Sequence, residues 1–113
     1  ALILAFAIER PFYFLLKIGL KRNRPEQVMP GIKAAVVPAD QFSFPSGHTS
    51  AAFCFATIAG LLLAGPHNPF FLWASAIGLS RIMLAVHFPC DVMAGAIIGS
   101  TIATISAGLV SAL

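Results

Sequence analysis

Charge is what this sequence has least of. Charged side chains make up 10% of the 113 residues, and the acidic ones are only Glu9, Glu26, Asp40 and Asp91. Four scattered carboxylates offer no cluster to hold a metal ion, so metal-independent chemistry without a cofactor is expected. A soluble domain usually carries about 25% charge. Here 58% of residues are hydrophobic and the mean hydropathy is +0.90. Such a chain lacks the polar surface to face water all round, so lipid is expected to be the solvent for much of it. Cysteine is scarce too. Cys54 and Cys90 have no His/Cys spacing around them, which excludes a zinc site and a disulfide framework. Cys54, inside an apolar run, reads as a small buried hydrophobe. The net charge of +3 comes from basic residues gathered in one place: Lys17, Lys21, Arg22, Arg24 and Lys33. No aromatic residues interleave with them, so nucleic acid is set aside as a partner. The chain lacks an initial Met, and no small-residue cleavage site follows residues 1–8, so these residues are not expected to be a signal peptide. Those residues are expected to be the end of a membrane helix whose beginning lies outside this sequence. The length fits one domain, residues 1–113.

What is present is a series of apolar runs separated by polar clusters. Residues 12–20 resume the first run after Glu9-Arg10-Pro11. Pro11 either opens a new helix or kinks a continuous one. Phe12, Tyr13 and Phe14 suit a membrane interface. Lys17, Lys21 and Arg24 follow at i, i+4 and i+7, which on a helix places three like charges on one face. They are either a solvated positive flank or the seat of an anion. Residues 25–44 read as a long loop with Pro25, Pro30, Gly31 and Pro38; Met29, Val36, Val37, Phe42 and Phe44 suit it to a membrane surface. Residues 48–64, 70–86 and 92–113 are apolar runs of about membrane length, the first ended by a turn at Gly65-Pro66-His67-Asn68-Pro69. His67 in that turn is assigned no function. Trp73 reads as an interface anchor. Gly95-x-x-x-Gly99 with Ser100, Ala103, Ser106 and Ala107 predicts close helix packing. The fold expected is an all-α integral-membrane bundle of about four helices.

Run lengths bring the polar clusters to one membrane face. The first helix ends near Lys17–Arg24, the second begins at Ser46–His48, the third ends near His87 and the fourth begins near Asp91. Pro45-Ser46-Gly47-His48 opens a helix, where backbone N–H groups and the helix dipole suit an anion. Taken alone, it is equally a capped helix start with an interfacial histidine. Arg81 lies inside an apolar run, at a cost of about 2.5–3.5 kcal/mol on insertion scales. It marks a site or snorkels to the interface. His87 and Asp91 are four apart. A hydrogen bond from His87 to Asp91 would fix the tautomer and leave the other ring nitrogen with its lone pair. Arg81 and His87, six apart, do not share a face of a straight helix, so Arg81 reaches with its stem or His87 lies beyond the helix. Cations, a helix start and two histidines suit a phosphoryl group, with one His as nucleophile and the other as proton donor.

Lys17-x6-Arg24-Pro25, Pro45-Ser46-Gly47-His48 and Ser80-Arg81-x5-His87-x3-Asp91 together resemble the three-part signature of the type 2 phosphatidic acid phosphatase family. This is the membrane branch of a superfamily that includes vanadium haloperoxidases and glucose-6-phosphatase. Order, spacings and every signature position match. The resemblance implies that His87 attacks phosphorus and forms a phosphohistidine, with Asp91 orienting it. It implies that His48 protonates the leaving oxygen and then assists water. Lys17, Arg24 and Arg81 would clamp the phosphate oxygens, with Ser46 and the Gly47 N–H completing the cradle. It also implies vanadate sensitivity, and more membrane helices than this chain can supply, so the chain is expected to be an N-terminally truncated piece.

The function expected is therefore a multi-pass membrane phosphatase acting on a lipid phosphate or diphosphate. A bacterial inner membrane is expected, with the site on the extracytoplasmic side. A phosphotransferase of the same family shares the site and differs in its acceptor. Vanadate-dependent haloperoxidation belongs to soluble relatives, which this chain does not resemble in hydropathy. A non-catalytic membrane module with a vestigial phosphate site is the alternative outside enzymology. The particular lipid and the oligomeric state are not encoded in any motif.

Overall fold

The computed structural model describes residues 2–29, 31–35, 42–64, 69–85 and 87–112. Pro30, Val36, Val37, Pro38 and Asp40, and residues 65–68 of the expected turn with His67, lie outside the described residues. The described chain is helical throughout its regular structure: α1 (Leu2–Leu20), a single turn α2 (Pro25–Val28), α3 (Gly47–Ala59), α4 (Pro69–Met83) and α5 (Pro89–Ser111). A π-helical turn, Gly60–Ala64, prolongs α3. The all-α bundle expected from the apolar runs is thus the observed fold, with one addition, the α2 turn inside the stretch read as loop.

α1 is continuous, with Pro11 inside it. Its buried residues are Ala5, Glu9, Tyr13 and Lys17, one stripe at intervals of four. The stripe facing the bundle is therefore the polar one. Outside, Ile3 is 88% exposed and Leu15 72% exposed, while Glu9 is fully buried. In water this helix would be inside out. In lipid the arrangement is the expected one, because ionisable groups turn toward the bundle interior. The same inversion holds elsewhere: Leu72, Met83, Met93 and Ile97 face outward while Ser43, Ser46, Thr49, Ser50, His87 and Asp91 are buried. By length and composition, α5 is the helix among those described that suffices to cross a membrane, with mean hydropathy 1.7. Its 23 residues extend about 35 Å at 1.5 Å per residue, against a hydrocarbon core of about 30 Å.

α3 is the central helix and packs on α1, α4 and α5. α5 meets it through the predicted small-residue stripe. A methyl group on Gly95 would lie 2.7 Å from the Ser46 carbonyl oxygen, and one on Gly99 would collide with the Ser50 carbonyl oxygen. Only hydrogen at these positions lets the two backbones approach so closely. Further along, Ala5, Cys54, Ile58 and Ala103 form a small core, and Ala52, Ala56 and Ala74 another under Phe53 and Phe71. Cys54 is the buried small hydrophobe the sequence suggested.

Candidate active site

Four helix ends meet at one end of the bundle. α1 and α4 finish there, with Lys17 and Arg81 in their last turns. α3 and α5 begin there, with Ser46 capping one and Asp91 in the first turn of the other. Each charge has the sign its helix terminus favours. Between these ends lies a narrow cavity of about 20 Å³, lined by Lys17, Arg24, Arg81, His48 and His87. Tyr13 and Gly47 complete the described wall. That volume holds about one water.

The cationic wall is built differently from the expected helix face. α1 stops at Leu20, and Lys21 takes a left-handed conformation at φ 49°. Lys17, Lys21 and Arg24 therefore do not share a face: the helix has ended before the second of them. Lys21 faces outward. The turn carries Arg24 back to the bundle, where it is buried and precedes α2. Lys17 Nζ donates to the Phe42 carbonyl oxygen at 3.0 Å and lies 4.6 Å from the centre of the Tyr13 ring. Tyr13 is buried rather than interfacial, and its ring fills the space a Gly47 side chain would need. Phe12 and Phe14 beside it are exposed.

His87 lies outside any helix, since α4 ends at Met83 and α5 begins at Pro89. That resolves the spacing problem: free of α4's geometry, His87 reaches the same cavity as Arg81. The hydrogen bond that orients it comes from an unexpected place. His87 Nδ1–H donates to the Ser43 carbonyl oxygen at 2.7 Å. Asp91 Oδ2, the partner expected, is 3.8 Å away and accepts instead from the Phe88 backbone N–H at 2.7 Å. The influence of Asp91 on the ring is thus electrostatic more than directional. His87 Nε2 lies 3.4 Å from Arg24 Nη1. A guanidinium is donor only, so this contact also assigns the proton to Nδ1 and the lone pair to Nε2, on the cavity side. Burial pulls the imidazole pKa down; the Asp91 carboxylate opposes this, the Arg24 charge reinforces it and the Ser43 carbonyl opposes it. The net result is below the ordinary 6.5, so the ring is neutral at pH 7.

Ser46 is fully buried, and its hydroxyl is occupied in capping. It donates to Thr49 Oγ1 at 2.9 Å and accepts from the Thr49 N–H. Its own N–H donates to the Asp91 carbonyl oxygen at 3.0 Å. Ser46 therefore supports the cradle from behind, while Gly47 and His48 front the cavity. His48 is exposed at its mouth. Of the eight residues singled out in the sequence, six line the cavity and two, Ser46 and Asp91, sit behind it. Ser43 and Tyr13 were missed. Tyr13 had a signal, four residues before Lys17 on one helix stripe. Ser43 acts through its main chain, which no side-chain pattern discloses.

The chain is similar to known proteins in sequence and fold. The family model described as the PAP2 superfamily matches residues 1–112. The crystal structure of Aquifex aeolicus LpxE is 38% identical with a TM-score of 0.81, covering 95% of this chain and 65% of that one. The crystal structure of a transmembrane PAP2 type phosphatidylglycerolphosphate phosphatase from Bacillus subtilis is 29% identical with a TM-score of 0.77, covering 99% and 58%. The decaprenylphosphoryl-5-phosphoribose phosphatase of Mycobacterium tuberculosis is 36% identical over 91 residues, 80% of this chain and 49% of that protein. The chain spans about half the length of the curated relatives it matches.

Proposed function

The chain belongs to the PAP2 superfamily, as its signature suggested, and from that membership we propose that it is a multi-pass membrane phosphatase hydrolysing a lipid phosphate or diphosphate through a phosphohistidine. The observation that carries this is the state of His87: neutral, its Nδ1–H fixed on the Ser43 carbonyl, its Nε2 lone pair toward a wall bearing Lys17, Arg24 and Arg81. Nε2 attacks phosphorus, the P–N bond forms and the bond to the lipid oxygen breaks. The three cations hold the charge that develops on the phosphoryl oxygens. His48, at the mouth, gives its proton to the leaving oxygen. Water then attacks phosphorus, His48 takes its proton, and the P–N bond breaks to release phosphate and the free imidazole. Asp91 stabilises the charge His87 acquires while bonded to phosphorus, and Ser46 holds Gly47 and its N–H in place. The reading needs no metal ion.

The lipid character of the substrate rests on the site's position at the end of an inverted-polarity bundle and on the relatives named above. The extracytoplasmic side is proposed for the site. Cys90 is exposed beside it, so a membrane-impermeant maleimide should label it from outside intact cells; labelling only after lysis would reverse the orientation.

The deciding experiment measures phosphate release from phosphatidic acid, phosphatidylglycerol phosphate and a prenyl diphosphate, in detergent with EDTA. Release that is blocked by vanadate and lost in His87→Ala is expected. Activity that persists in a folded His87→Ala protein sinks the phosphohistidine mechanism. Release that needs an added metal sinks metal independence.

A further inference from the structure

Arg22 sits in the signature's unassigned spacer, where a positive flank of a membrane helix would be the ordinary reading. Its surroundings say otherwise. The guanidinium is partly exposed, yet it folds over the start of α5. It lies 4.5 Å from the centre of the Phe88 ring and donates from Nη1 to Cys90 Sγ at 2.8 Å. Nη1 is also 3.3 Å from Asp91 Oδ1. That carboxylate is fully buried, and among the described residues Oδ1 accepts no hydrogen bond. The Arg22 charge is what faces it. The backbone of the same residue supports the second group that faces His87 Nδ1. Ser43 N–H donates to the Arg22 carbonyl oxygen at 2.8 Å, and Ser43 Oγ donates to the Asn23 carbonyl oxygen at 3.1 Å. Ser43 in turn accepts the His87 Nδ1–H through its own carbonyl.

We propose that Arg22 is a positioning residue for His87, holding both groups that face its Nδ1: the Ser43 carbonyl through its main chain and the Asp91 carboxylate through its guanidinium. The proposal rests on His87 being the nucleophile. Arg22 is not among the described residues lining the cavity, so it acts through others and not on the phosphoryl group. The charged and titratable groups around His87 are Arg24 and Asp91 in closest approach, with Lys17, His48 and Arg81 along the same cavity. Removing the Arg22 charge leaves Asp91 less neutralised, so Asp91 draws a proton to His87 more strongly.

The test uses the full chain in detergent with phosphatidic acid as probe. In Arg22→Gln, kcat should fall about tenfold or more, as for other supports of a catalytic group, with KM within about twofold. The acid limb of kcat/KM and the His87 midpoint followed by ¹⁵N NMR should both rise by roughly half a pH unit. Arg22→Lys keeps the charge and should restore the midpoint and most of kcat. A glutamine variant with wild-type kcat and midpoint overturns the proposal. So does loss of activity in both variants that merely tracks loss of folded protein while the midpoint stays fixed. The midpoint needs no turnover, so it decides for Arg22 whichever lipid the protein prefers. Phosphate release surviving in His87→Ala would remove the nucleophile reading itself; a silent His87→Ala beside a wild-type-like Arg22→Gln removes Arg22 alone.

Discussion

Glu9 and Lys17 lie about two turns apart on the buried stripe of α1, and their charges are handled in opposite ways. Glu9 is neutralised within the protein. Arg10 grips both its carboxylate oxygens, Ser50 donates to one of them, and Arg10 also donates to the Gly47 carbonyl oxygen at 3.2 Å. Lys17 faces a wall shared with Arg24 and Arg81, and no carboxylate is among the described residues lining it. The first cluster closes on itself and ties α1 to α3. The second concentrates one sign of charge around a neutral imidazole. Burial of charge alone therefore does not mark a site. The surroundings of the charges do: Glu9 closes on Arg10 and Ser50, whereas Lys17, Arg24 and Arg81 line one cavity with His48 and His87.

The sharpest way to break this contrast is His87→Ala. It should lower phosphate release by about three to six orders of magnitude, the range seen when a nucleophile is removed, in a protein that still folds in detergent. Arg24→Ala comes next. Losing one positioned cation should lower kcat by about 10²–10³. Glu9→Ala tests the other cluster. It should destabilise the protein by about 2–3 kcal/mol in chemical denaturation, less than the cost of breaking a fully buried pair because Arg10 is partly exposed. Replacing Glu9 and Arg10 together by Leu should recover much of that loss, whereas removing Lys17 and Arg24 together should leave activity absent. Gly99→Ala, which drives a methyl into the Ser50 carbonyl, should cost about 1–3 kcal/mol. The smallest effect concerns pH. His87 must be neutral to attack, and its pKa is lowered, so kcat/KM should fall only as pH drops through a midpoint below 6.5. Glu9→Gln should leave that limb where it is; a shift would mean the clusters are coupled.

The sequence disclosed the fold where pattern and solvent agree. Apolar run lengths located α3, α4 and α5, and Gly95 with Gly99 located the closest helix contact. It named five side chains that line the candidate site, Lys17, Arg24, Arg81, His48 and His87, because their ionisable chemistry is legible in their letters. It misled where helical periodicity was extended past the helix: Lys21 and Arg24 keep the spacing of a face that has ended at Leu20. It gave no access to main-chain work. The Ser43 carbonyl on His87, the Arg22 carbonyl on Ser43 and the Asp91 carbonyl on Ser46 are set by tertiary approach, and any residue type offers the same carbonyl. The fate of Pro11 was undecidable for the same reason: the neighbours of α1 determine whether the helix runs through it.

The glycine contact between α5 and α3 also has a thermal consequence. A core assembled in water is held by expelling water from apolar surface, and that force weakens on cooling. Here lipid or detergent covers the helix faces whether or not they are paired, and close van der Waals approach at Gly95 and Gly99 replaces water expulsion. Separating the helices exposes little apolar surface to water, so the heat-capacity change should be small and the stability curve flat. His48 at the head of α3 and His87 just ahead of α5 are thus held in register over a wider span of temperature than a water-built core of equal area would allow.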